Sequence, residues 1–342
     1  MHCAREGIGN MNENTSAAPA VDPEYFKVAK QGIGRVIENI KSVITIDKVK
    51  LEFLIASKLA GGHVILADSH GVGKTSLARA LAGSIQWEGS KFTDEGVEMD
   101  SFNRIQCTVD MLPQDILGFF RYDMHSDKQI FNRGPLFAHF VLCDEINLLT
   151  PKTQGSFLQA MEESMVSIEG NTFHLPDPFF IIATMNLRGS HLFPLPAPQL
   201  DRFMIRMSLG YPSEEDEIAI IHKHGKEDSW KDFKPVAEVA ELRAWQRLVD
   251  AVTIHRDVVA YIVRLIRKTR GYPGVLTGAS PRSGIKISRL ARALALVRGD
   301  GYVTPDHVKE LVVPVFAHRM ELEDPSSSPA ETLRNILNEV RV

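Results

Sequence analysis

Positive charge is in short supply in this chain: 39 lysines and arginines stand against 43 aspartates and glutamates, a formal net charge of −4. Such a surface has no broad field to draw in a phosphate backbone, so nucleic acid is not an expected partner, although a local basic groove stays open. Cysteine is scarcer still. Cys3, Cys107 and Cys143 are odd in number, scattered and without CxxC or Cys/His spacing, and a reducing compartment fits them best. The twelve histidines form no HExxH pattern, and His222 and His224, two apart on a helical stretch, point to different sides, so no structural metal is expected. Long apolar runs are missing too. Leu51 to Ala67 is interrupted by Glu52, Lys58 and His63, too short and polar to cross a bilayer, and the N-terminus lacks the apolar core of a secretion signal. A cytoplasmic protein without a membrane span is expected, and no internal repeat or low-complexity block is evident.

What is present is ordinary globular composition. At 342 residues, with 44% hydrophobic and 24% charged residues, the chain is long enough for two domains and a real core. Residues 1–22 are polar and rich in small side chains and read as a disordered arm. From Lys27 to Leu59 apolar residues recur at helical spacing (Val36, Ile40, Val43, then Phe53, Leu54, Leu59), so two helices are expected. His63 to Ala67, a polar turn, then Thr75 to Ile85 at helical period read as strand, loop and helix. Two further apolar runs end in polar residues: Phe137 to Cys143 before Asp144-Glu145, and Phe179 to Ala183 before Thr184-Met185-Asn186. Three such strands suggest a parallel sheet that gathers its ligands at the C-terminal edge.

Thr150-Pro151, Ser280-Pro281 and Thr304-Pro305 each place a capping hydroxyl before a proline suited to a first helical turn. Val166 to Glu169, a turn at Gly170-Asn171 and Thr172 to Leu175 alternate as a β-hairpin. Beyond Tyr211-Pro212 strand signals stop and the pattern becomes helical. The expected division is an α/β domain over 23–212 and a helical domain with a C-terminal tail over 213–342.

The segment DSHGVGKT, Asp68 to Thr75, lies where backbone amides and a helix N-terminus can cradle phosphate oxygens. His70, Gly71, Val72, Gly73 and Ser76 would line that cradle, Lys74 would reach the β- and γ-phosphates, and Thr75 would hold Mg²⁺. The pattern GxxxxGK[ST] wants glycine where Asp68 stands, and a carboxylate there would sit close to an anionic ligand, which puts nucleotide affinity and turnover in question. About 70 residues on, Asp144 is placed as the metal-side carboxylate and Glu145 as the base that polarises an attacking water. Asn186 would orient that water, or simply end its strand. Arg202 would reach from one subunit into the nucleotide of the next, or form a surface salt bridge. Arg282, in the first turn of a helix, would meet a phosphate across a domain cleft, or form a helix-end ion pair.

The runs GGHVIL, CDEINLLTPKTQGSFLQAMEE, IIATMN, PLPAPQLDRF, GASPRS and YVTPDHV resemble the MoxR family of AAA+ ATPases from about Val36 to Met320. The resemblance implies an AAA+ P-loop core with a parallel sheet, a small all-α lid and an oligomeric, often hexameric, ring binding ATP and Mg²⁺. By it, Lys74 and Thr75 match Walker A, Asp144 and Glu145 Walker B, Asn186 sensor 1, Arg202 the arginine finger and Arg282 sensor 2. Lid closure would run through Arg282. Leu117 to Arg133 matches the family's helix-2 insertion, and Ala197-Pro198 stands where PLPEAQ would carry a glutamate and alanine. The implied role is chaperone-like remodelling of a protein client, with a von Willebrand A domain protein as a candidate partner. A nucleic-acid motor and a nucleotide-binding scaffold with little hydrolysis remain as alternatives.

Overall fold

The computed structural model describes residues 22–68, 72–87, 92–93, 95–125, 127–175, 177–186, 193–224 and 230–342. The expected arm up to residue 21 lies outside them, as do His70 and Gly71. Asp22 starts the first helix, α1 (Pro23–Val43), by accepting the Glu24 N–H at 2.9 Å. Asp47 starts α2 (Lys48–Leu59) in the same way, from the Lys50 N–H. Each carboxylate satisfies a donor that has no partner inside its helix.

The central sheet is parallel. Its strands are β1 (Val64–Ala67), β2 (Asp100–Gln106), β5 (Ala138–Asp144), β8 (Phe180–Met185) and β9 (Ile205–Met207), ordered β9-β1-β8-β5-β2. α3 (Lys74–Gly83) follows β1. Three strands were expected, and the two extra ones explain why. β2 is a polar edge strand with only Ile105 buried, and β9 is three residues long with Arg206 at its centre, so neither has an apolar run. Side chains alternate between the two faces of the sheet. Val64, Leu66, Phe140, Leu142, Phe180 and Ile182 join one core, whereas Ile65, Val141, Cys143, Ile181 and Ala183 join the other.

Among the described residues between these strands are, besides short helical turns, the antiparallel hairpin of β3 (Gly118–Asp123) and β4 (Lys128–Arg133), then α4 (Pro151–Glu163), then the hairpin of β6 (Met165–Ile168) and β7 (Asn171–His174). The second hairpin turns at Glu169-Gly170, one residue before the expected Gly170-Asn171. Both turn residues have positive φ, 48° and 84°, the conformation that matches the twist of the flanking strands.

After β9 come α5 (Glu214–His224), α6 (Val239–Val249), α7 (Arg256–Arg270), α8 (Pro281–Arg298), α9 (Pro305–Phe316) and α10 (Pro329–Glu339). Ser280 and Thr304 cap α8 and α9 as their sequences suggest. The region is not wholly helical, because Val275–Thr277 pairs with Glu321–Leu322 and Ala237–Glu238 pairs with Ile85–Gln86. Leu290 and Leu294 of α8 share one core with Leu51 and Leu54 of α2. Arg298 of α8 fastens two neighbours, donating to Glu52 of α2 at 3.0 Å and to Glu310 of α9 at 2.7 Å.

Candidate active site

The C-terminal ends of β1, β5, β8 and β9 meet at one edge of the sheet. Gly73 caps α3 at φ 81°, a left-handed conformation that glycine adopts without strain. Lys74, the first residue of α3, is buried and donates from Nζ to the Asp68 carbonyl at 3.1 Å, bridging the two ends of the loop. Thr75 and Ser76 sit half-buried in the first helical turn, where backbone N–H groups lack helical partners and favour an anion.

Asp144 ends β5 beside this helix. Its Oδ1 accepts the Thr184 hydroxyl at 2.7 Å, and its Oδ2 accepts Arg104 Nη2 at 2.6 Å and Nε at 3.2 Å. Partial burial works to raise the Asp144 carboxyl. The bonds from Thr184 and Arg104, with the charges of Arg104 and Lys74, outweigh it and hold the group below the ordinary carboxylate range. Thr184 also accepts the Glu145 N–H at 2.9 Å. That bond fixes Glu145 in a left-handed conformation, φ 60° and ψ 52°, which costs a non-glycine residue about 1–3 kcal/mol and is typical of functional sites. Asn186 follows β8, and its carbonyl accepts the Asn147 amide at 2.8 Å. Cys107 and Cys143, far apart in sequence, meet in the adjoining core with 3.2 Å between their sulfurs, and burial pushes the Cys143 thiol well up.

Beside the loop opens a cavity of 360 Å³ whose walls include Ile44, Ile46, Val72, Gly73, Leu209 and Tyr211. The lining is mixed, with Lys41, Asp47, Lys50 and Asp216 beside these apolar side chains, and next to a helix end that favours anions it suits a polar heterocycle carrying phosphates. Val72 and Gly73 were read from the sequence as part of the phosphate cradle, whereas Ile44, Ile46, Leu209 and Tyr211 were not. The one signal for Ile44 and Ile46 was the break in helical period between α1 and α2. Asp68 is also turned elsewhere than expected. Its carboxylate accepts the Leu209 N–H at 2.7 Å, the Gly210 N–H at 3.2 Å and the Ser208 hydroxyl, all on the segment after β9. The feared conflict with an anionic ligand is therefore met by local donors.

The two arginines lie elsewhere. Arg202 pairs with Glu162 of α4 at 3.0 Å, and Arg282 is exposed at the start of α8, 3.6 Å from Asp201. Asp201 is a hub. It accepts Arg319 Nε at 2.7 Å and, through its carbonyl, Lys286, and burial with the nearby Arg319 charge pushes Lys286 down to about 8. The structure thus brings Arg282 to the loop of Arg202, and Arg282 is not among the described residues lining the cavity.

Sheet order, phosphate loop, acidic strand end and helical C-terminal region together define an AAA+ P-loop ATPase. The chain matches the model of the ATPases associated with various cellular activities over residues 63–205 and the AAA lid domain over 267–340. It belongs to the MoxR family. Chaperone MoxR1 of Mycobacterium tuberculosis is 34% identical over 319 residues, 89% of this chain and 80% of that one. YeaC of Bacillus subtilis is 38% identical over 291 residues, covering 85% and 87% of the two chains. The crystal structure of a candidate ATPase from Cytophaga hutchinsonii superposes with a TM-score of 0.82 at 28% identity, covering 93% and 97% of the two chains. The protein is accordingly a nucleotide-binding ATPase.

Proposed function

We propose that the protein is a Mg²⁺-dependent ATPase that works in the cytoplasm as a hexameric ring and remodels or activates a partner protein. What carries this proposal is the separation of two groups of residues. Lys74, Thr75, Asp144 and Glu145 converge beside the cavity, whereas Arg202 pairs with Glu162 and Arg282 lies against Asp201, the residue before Arg202. A hydrolytic site needs positive charge near the transferred phosphoryl group, and such an arginine is worth roughly 10³ to 10⁵ in rate. An adjoining copy supplies it, with Arg202 and Arg282 both acting across the interface, and the sequence-based idea of lid closure over the same chain's nucleotide through Arg282 is set aside.

The oxygen donors fit a hard cation: the Thr75 hydroxyl stands in the first turn of α3, and the Asp144 carboxyl is held ionised. Bound there with ATP, Mg²⁺ would neutralise phosphate charge. Lys74 holds the β- and γ-phosphates, Glu145 takes the proton of the attacking water, and Asn186 orients that water. The hairpin β3–β4 presents Phe119, Tyr122 and Met124 to solvent and is the surface offered to a client, for which a von Willebrand A domain protein is a candidate. Phe120, by contrast, packs on Phe131 at 5.1 Å. The MoxR1 relative's name as a chaperone supports this role.

Phosphate release and nucleotide titration of two variants test the site. Lys74→Ala is expected to lose ATP binding, and Glu145→Gln to bind ATP, stop turnover and hold the assembly together. Unchanged hydrolysis in either variant would refute the assignment.

A further inference from the structure

Two features of the helical region present surfaces outside the ATPase site, and they match. The first is a cleft of 760 Å³ between α7 and α8. Val259, Val263 and Ile285 line it, and Ile285 is 71% exposed. Gly284 lies where a Cβ would meet Ile266 Cδ1 at 2.7 Å, so glycine lets α8 sit close to α7 at the floor of the cleft. Arg267, Arg270, Arg289 and Arg292 edge it. Asp250 offsets part of their charge, lying 4.0 Å from Arg289.

The second feature is α5. Its first turn is acidic, with Glu214, Glu215, Asp216 and Glu217, and Ser213 caps it by accepting the Asp216 N–H at 3.2 Å. Ile218 and Ile221 are 61% and 76% exposed. The spacing 214, 218, 221 puts one acid and both isoleucines on a single face, with Glu217 beside Ile221. An acidic helix with an apolar stripe is what a basic, apolar cleft between two helices accepts.

We infer that α5 of one copy docks in the α7–α8 cleft of the next copy, forming a head-to-tail contact of the ring. This rests on the proposed trans placement of the arginines, and geometry joins the two. α5 grows from the nucleotide side, since Ser213 and Asp216 line the 360 Å³ cavity. The cleft lies on the arginine side, since Pro281, the residue before Arg282, lines it. A rotation that carries Arg202 and Arg282 to a neighbour's cavity therefore also carries the cleft to that neighbour's α5. Patches that differ on the two partners give a heterologous contact, the kind that closes into rings.

Sedimentation velocity of the full chain with ATP, in the Glu145→Gln background, tests the contact. Ile218→Glu and Ile285→Glu are each expected to move assembly to about 10-fold higher protein concentration or beyond, without changing the melting temperature of the dilute protein. Charge reversal supplies a specific readout. Glu214→Arg with Glu217→Arg on α5, or Arg267→Glu with Arg289→Glu at the cleft, should each weaken assembly, and combining all four changes in one chain should restore it. Variants that assemble at the wild-type concentration overturn the docking while leaving the ring intact, and so does a combination that fails to recover. A parent protein that binds ATP yet never assembles overturns both the docking and the ring.

Discussion

The Asp68 carboxylate and the Leu209 backbone N–H meet at 2.7 Å, tying the residue after β1 to the wall of the 360 Å³ cavity. Lys50 holds the same segment from the other side through the Leu209 carbonyl, and Tyr211 stands two residues on. Asp68 therefore shapes the site by fixing a wall, a task that glycine cannot perform. Asp68→Gly restores the consensus pattern and is nonetheless expected to raise the KM for ATP about 10-fold, the worth of one lost charge-assisted hydrogen bond. Asp68→Asn keeps an acceptor and should lie between the two. Steady-state hydrolysis decides it, and an unchanged KM in the glycine variant removes this role from Asp68.

Thr184 is buried and bonds two neighbours at once, Oδ1 of Asp144 and the N–H of Glu145. Thr184→Val keeps the shape and loses both bonds. Stability is expected to fall by about 1–3 kcal/mol in urea unfolding, because a partly buried N–H and a carboxylate lose a partner. Turnover should fall further than nucleotide affinity, since Glu145 is no longer held in its left-handed conformation. A variant with the wild-type kcat would show that Glu145 keeps its place without this hydroxyl.

Arg282 lies 3.6 Å from Asp201, the residue before Arg202, and Arg319 anchors Asp201 at 2.7 Å. If both arginines serve a neighbouring copy, Arg202→Ala subunits keep a complete nucleotide pocket and Glu145→Gln subunits keep the arginines. Mixing the two inactive proteins is expected to restore activity at interfaces that pair a whole pocket with a whole arginine side. Phosphate release against mixing ratio checks this. Mixed rings, demonstrated by mass, that stay inactive at every ratio would remove the trans placement.

Lys74, Asp144 and Glu145 were legible because their chemistry is local: a contiguous loop, and an apolar run ending in acids. Partners that tertiary packing supplies were not. Ser208 lies 140 residues from Asp68, and Arg104 reaches Asp144 from a polar edge strand that has no apolar period to announce it. The cap before Arg282 was readable, but the direction of its helix was not, since packing of α8 on α2 decides it. The hairpin turn slipped by one residue because Glu169-Gly170 and Gly170-Asn171 offer similar chemistry, and only strand pairing separates them.

His63, just before β1, is buried, accepting the Ile181 N–H on Nδ1 at 2.9 Å and lying 3.3 Å from the Met161 carbonyl through Nε2. Burial first, and then the Lys58 charge, pushes its pKa from the ordinary 6.5 down to about 3. The folded state holds His63 neutral while the unfolded chain takes up a proton below 6.5, so its stabilising contribution is present above that value. It is lost as pH falls towards about 3, at no more than about 1.4 kcal/mol per pH unit. Buried His318 is shifted in the same direction, with burial first and the Arg319 charge second, and adds to the slope. The interval between about pH 6.5 and 5 isolates the histidines, because carboxylates titrate lower. Across it, wild-type stability should decline as pH falls, and His63→Gln, though less stable at pH 7, should decline less steeply by up to one proton's worth. Urea unfolding at a series of pH values measures both slopes, and equal slopes would mean that His63 takes up its proton in the folded protein.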